Sequence, residues 1–99
     1  MKLETFEQWK RKICEGVFDA LPSVAERLGY RYADVFDYIC DHLDLDNNFD
    51  SILSETCRTR YNTSVYEEYM FTHHVDELKM QVALTIMRKM ELSISKGVY

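Results

Sequence analysis

Apolar side chains recur every three or four residues along most of this chain, and that spacing constrains its fold more than any other feature. Phe6, Trp9, Ile13, Val17 and Phe18 fall on one stripe of a helix, and Val75, Leu78, Val82, Ile86 and Met90 do the same near the other end. A strand would need alternation by two, which neither segment shows. The chain punctuation agrees: one Pro and three Gly in 99 residues are too few for the turns of a sandwich or barrel. With 46% apolar and 13% aromatic residues there is enough to fill a core, and the length suits one core rather than two. The expected fold is all-α: a compact single-domain bundle of five or six helices over residues 1–99, with a long C-terminal helix.

Local signals place the helix ends. Thr5 with Gln8 three residues on forms a capping box, so the first helix is expected from Thr5 to Ala20. Pro22 ends that helix or starts the next, Ser23 would cap a short helix through Leu28, and Gly29 suits the left-handed closing position. A third helix is expected over Tyr32–Leu43, with Tyr32, Val35, Phe36, Ile39 and Leu43 on its buried face. "DLDNN", from Asp44, reads as a loop, and a fourth helix follows over Phe49–Arg60, carried by Phe49, Ile52, Leu53 and Cys57. After the "YNTS" break, Ser64 and Glu67 give a second capping box. The last helix should stop at Gly97. The spacing leaves open whether the chain bends at Thr72-His73-His74 or runs straight through.

The N-terminal stretch has no apolar core of the secretory kind, and no run approaches a membrane span. Cys14, Cys40 and Cys57 are odd in number and widely spaced, which reads as buried thiols in a reducing compartment. The expected location is cytoplasmic.

Charge is distributed unevenly. The net charge is −5, yet from Tyr32 to Cys57 there are seven acids (Asp34, Asp37, Asp41, Asp44, Asp46, Asp50, Glu55) and no Lys or Arg. Asp34, Asp37, Asp41 and Asp44 fall at helical spacing and would line one face. A rise of about 1.5 Å per residue puts a carboxylate roughly every 5 Å, against about 6–7 Å between phosphates along a DNA strand. Like charges stacked on one face repel, and aspartate is a modest helix former, so the stripe has a physical cost. A plain solvated face accounts for the same charges without any partner.

Other chemistries fit less well. "SVAERLGYRYADVFDYI", Ser23 to Ile39, resembles the helix-turn-helix of phage-type repressors through Ala25, Leu28-Gly29, Val35 and Ile39. Arg31 is the one base on its second helix, whereas Asp34, Asp37 and Asp41 would face the duplex, which argues against direct DNA binding. Asp44, Asp46, Asn48 and Glu55 stand at positions one, three, five and twelve of a calcium loop. However, Phe49 replaces its turn glycine and Ser51 its apolar residue. His42, His73 and His74 share no ligand spacing with the cysteines, and no phosphate loop or nucleophile elbow occurs. No cofactor, no metal and no enzymatic activity are expected.

Tyrosine completes the picture. Tyr30, Tyr32 and Tyr38 flank the acidic stripe, and Tyr66 and Tyr69 stand beside Glu67 and Glu68. Tyrosine is a frequent interface anchor, because it covers much area at little entropic cost. The expected site is therefore Asp34, Asp37, Asp41 and Asp44 with Tyr30, Tyr38, Tyr66 and Tyr69. Its expected partner is a protein with a basic surface, a nucleic-acid-binding protein or complex, and no membrane is involved. In size, acidity and helical build the chain resembles small early proteins of bacteriophages and mobile elements that inhibit host defences, including anti-CRISPR and anti-restriction proteins. That likeness implies an inhibitor in the host cytoplasm that occupies a basic groove. The rival expectations are a helix-turn-helix regulator and a helical subunit whose acidic surface does nothing specific.

Overall fold

The first apolar stripe becomes α1, Phe6–Arg27, which opens on the expected capping box: Gln8 N–H donates to the Thr5 hydroxyl and Thr5 N–H to the Gln8 side chain. The computed structural model of the protein describes residues 4–72 and 74–97. The break expected at Pro22 does not occur. Pro22 lies on the exposed side of α1, while Leu21, Val24 and Ala25 beside it are buried. An internal proline costs about 3 kcal/mol, and burying Leu21 and Val24 contributes about 1.5–3 kcal/mol each, so the helix runs through. Ser23 therefore caps nothing.

Past Leu28, Gly29 takes φ +85, its N–H donates to the Glu26 carbonyl, and Tyr30 N–H reaches back to Ala25 at 2.9 Å. This is a Schellman closure, in which only glycine sits without strain. Helix α2, Tyr32–Tyr38, then leads into a π-helical turn, Ile39–Leu43, so the expected helix to Leu43 is α-helical only as far as Tyr38. Asp44 is left-handed (φ 49), and α3, Leu45–Thr56, starts at once. The expected loop "DLDNN" is thus a single hinge residue. Leu45 and Phe49, four apart, both enter the core, and the Asn48 side-chain amide donates to the carbonyls of Leu43 (2.7 Å) and Asp44 (3.0 Å). A second π-helical turn, Cys57–Tyr61, closes α3 on left-handed Asn62 (φ 55).

The Ser64–Glu67 capping box opens α4, Val65–Phe71, and extended Thr72 separates it from α5, Val75–Ser95. The chain thus bends between the last two helices; His73 lies outside the described residues. Gly97 (φ 74) follows the end of α5 as expected. The described residues form five α-helices and no strand, and none of these helices is long and apolar enough to cross a membrane.

Three helices supply most of the core, and Val35 and Tyr38 of α2 join them. The Lys79 side chain lies over Gly16, where a Cβ would collide with it, and Tyr30 reaches Glu91, so α1 and α5 run in the same direction. Lys10 meets Asp50 near the start of α1, and Phe18 further on lines one groove with Leu45, so α3 runs against both. Trp9, Ile13, Val17 and Leu21 of α1 pack with Ile52 and Leu53 of α3 and with Leu78, Val82, Ile86 and Met90 of α5. One buried polar contact joins α3 to α5: the Thr56 and Thr85 hydroxyls lie 2.8 Å apart, and the Ile52 and Gln81 carbonyls stand ready to accept from them. The result is a rod of 45 × 22 × 21 Å.

Candidate interaction surface

The four aspartates do not share one face. Asp34 is held by Arg31, whose Nε and Nη2 donate to its two carboxylate oxygens at 3.1 Å each. That contact raises the Arg31 pKa. Asp37 and Asp41 follow as an exposed pair across the start of the π-helical turn. The turn is closed by Asp44 N–H donating to the Ile39 carbonyl at 3.0 Å, a wider loop than the α-helical one, so α-helical spacing stops there. Asp44 consequently leaves the Asp37–Asp41 ridge. One of its carboxylate oxygens accepts from the Asn47 amide at 2.7 Å, and it stands with Asp46 at the rim of a different surface.

Cations from distant parts of the chain neutralise some of the acids that the sequence leaves without bases nearby. Lys10 reaches Asp50 at 3.2 Å as well as Glu7, and Lys89 reaches Glu55 at 2.9 Å. Burial pulls the Lys10 ammonium down, but the Glu7 and Asp50 carboxylates outweigh it and leave its pKa above the ordinary lysine value. Lys12 bridges to Glu4, so the basic Lys10-Arg11-Lys12 cluster is largely occupied by acids of this chain. Among the described residues, no ion pair reaches Asp37, Asp41, Asp44 or Asp46.

The tyrosines divide. Tyr38 is 4% exposed and belongs to the core, stacked 6.0 Å from His42, so it is no surface anchor. Tyr30 is half-buried; its hydroxyl points at Glu91, 3.4 Å away, and burial together with that carboxylate raises its pKa. Tyr69 is structural: its hydroxyl donates to the Glu4 carbonyl at 2.8 Å, and its ring packs 5.2 Å from Phe6 and 5.6 Å from Trp9. Tyr66 stays exposed, edge-on to Phe6, beside exposed Met70 and Phe71. This cluster sits at the start of α1, whereas Asp44 and Asp46 share a groove with Phe18, roughly 18 Å along the helix axis at 1.5 Å per residue. The expected site is therefore two surfaces.

The second surface was not visible in the sequence. Phe18 of α1, Phe36 of α2, Ile39 and Cys40 of the π-helical turn, and Leu45 of α3 line an open groove of about 350 Å³, together with exposed Asp44 and Asp46. Phe36, expected in the core, is 39% exposed here, and Cys40, expected to be a buried thiol, is exposed. Phe36, Cys40 and Asp44 are spaced by four, the one sequence signal that could have grouped them.

Asp44 and Asn48 are engaged in the hinge and Glu55 bridges to Lys89, so the calcium-loop residues are not gathered. Among the described residues no three His, Cys, Asp or Glu side chains come together as a ligand set. Burial pushes the Cys57 thiol up to about 11, with Glu68 adding to it, the reverse of what a nucleophile needs. Compared with models of protein families, with curated proteins and with solved structures, the chain matches none.

Proposed function

We propose that this is a non-enzymatic binding protein that docks two sets of exposed carboxylates, Asp37 with Asp41 and Asp44 with Asp46, on a basic protein surface. The observation that carries the reading is the split in ion pairing. Asp34, Asp50 and Glu55 each have a cation from this chain, whereas those four carboxylates have none among the described residues. A one-signed patch of this kind steers association with an oppositely charged partner, and Arg–carboxylate pairs formed on docking supply specificity. The partner class is a nucleic-acid-binding protein whose phosphate-binding groove is occupied, which makes the protein an inhibitor. A host-defence nuclease, as in anti-CRISPR or anti-restriction systems, is the narrowest form of this reading.

The rival is direct DNA binding, favoured by the tight Gly29 turn between α1 and α2. Against it, Arg31 is already committed to Asp34, and α2 has only seven residues to lay in a groove.

Capture from lysate on the immobilised protein, followed by elution with short duplex DNA, separates the two. Groove occupancy predicts a captured nucleic-acid-binding protein that DNA displaces and that Asp37→Asn with Asp41→Asn fails to retain. Retention of labelled duplex DNA by the purified protein at low salt, lost on raising salt, would replace this reading with the regulator.

A further inference from the structure

We infer that the groove between Phe18 and Phe36 is the anchor point for one arginine or lysine side chain of that basic partner. The aliphatic stem would lie on Phe36, Ile39 and Leu45, and the cationic head would meet Asp44 and Asp46. The inference rests on the basic-partner reading and narrows it to one site.

The groove has the polarity of such a side chain: it is lined by nearly buried Ile39 and Leu45 and by exposed Asp44 and Asp46. Its volume of about 350 Å³ is at the small end of ligand sites, suited to a single side chain rather than a cofactor. The Phe36 ring, 39% exposed and stacked on Tyr32 at 6.1 Å, adds aromatic surface to the groove for methylenes to cover. Asp44 is held in place by the Asn47 amide through one oxygen, which leaves the other to accept from a partner. No base of this chain among the described residues pairs with Asp44 or Asp46, so an incoming cation displaces no existing ion pair. A purely apolar occupant would leave the two carboxylates desolvated, and an anion would be repelled by them.

Cys40, exposed in the groove wall, is a built-in reporter, since Cys14 is half-buried and Cys57 fully buried. The test uses two synthetic Ser-rich peptides of equal length and charge, one carrying Lys and the other, at the same position, diaminobutyric acid, the same ammonium group on a stem two methylenes shorter. Binding is read by fluorescence anisotropy, and alkylation of Cys40 by mass spectrometry. The Lys peptide should bind about tenfold tighter and slow Cys40 alkylation by a similar factor. Asp44→Asn with Asp46→Asn should abolish that preference. Asparagine tolerates the left-handed backbone at position 44 and can still accept from Asn47, so this variant should melt like the parent.

Equal binding of both peptides with Cys40 unprotected would overturn the groove while leaving the basic-partner reading intact. Failure of both peptides to bind at low salt would overturn the two together. Protection of Cys40 by raising the protein concentration alone would make a second copy the occupant, and the inference would fall.

Discussion

Burial holds the Cys57 thiol protonated up to about 11, against an ordinary value of 9.0, and this has a consequence for stability. Below pH 9 the folded and unfolded chains both keep the proton, so the residue adds no pH dependence. Between pH 9.0 and about 11 the unfolded chain loses its proton first, and stability falls as pH rises. Tyr61, whose pKa is raised by burial and by Glu77 and Glu68, acts in the same direction at slightly higher pH. Urea denaturation across this range should show a declining midpoint, with a shallower decline in Cys57→Ala; equal slopes would mean that the thiol is not shielded as the structure has it. Backbone strain gives a second expectation at this scale. Asn62 is left-handed at φ 55, a conformation that costs a β-branched residue about 1–2 kcal/mol and glycine almost nothing. Asn62→Val should destabilise by that amount and Asn62→Gly by a few tenths or less. If the two variants melt together, the residue at position 62 is not held left-handed.

Helix α4 is the element whose placement depends most on its ends. It has seven residues, none of them fully buried, and is tied down by the Ser64–Glu67 box and by Tyr69 packing on Phe6 and Trp9. Ser64→Ala removes the acceptor for Glu67 N–H and should cost about 1 kcal/mol, more than propensity can restore in so short a helix. Trp9 is the sole tryptophan, so its fluorescence reports directly on Tyr69. The expected outcome is a shifted Trp9 emission before global unfolding; unchanged emission would show that Tyr69 docks without the cap. Helix starts of this kind were legible because both partners of a capping box lie three residues apart in the chain. The glycine closures at Gly29 and Gly97 were legible for the same reason, since left-handed φ leaves a local mark. The run of α1 through Pro22 and the direct entry into α3 at Leu45 were not, because tertiary burial of Leu21, Val24, Leu45 and Phe49 overrides the local signal. The aspartate stripe was legible only in part. Its face was projected through Asp44 at α-helical spacing, and the turn closed by Asp44 N–H on Ile39 ends that spacing.

Across the whole molecule, the charge map depends on contacts that no local window contains. Lys10 and Asp50 are 40 residues apart, and their contact, with that of Lys89 and Glu55, removes two carboxylates from a stretch that reads as uniformly acidic. What remains is a balance between short ion pairs and the mutual repulsion of Asp37, Asp41, Asp44 and Asp46 within a net charge of −5. Exposed pairs contribute about 0–1 kcal/mol each, and those here are at contact distance, where added salt weakens them least. Repulsion acts across a body 45 Å long, and the screening length shrinks from about 30 Å at 0.01 M salt to about 8 Å at 0.15 M. Raising sodium chloride over that range should therefore increase stability. Asp37→Asn with Asp41→Asn removes one like-charge pair at i, i+4 spacing, worth about 0.2–0.5 kcal/mol, and should reduce the salt response by a similar amount while raising stability at low salt. Melting curves of both proteins at the two ionic strengths measure all of this at once. A loss of stability with salt would mean that the Lys10–Asp50, Lys12–Glu4 and Lys89–Glu55 pairs dominate, and the carboxylate surface would then lack the unscreened potential that a basic partner is proposed to meet.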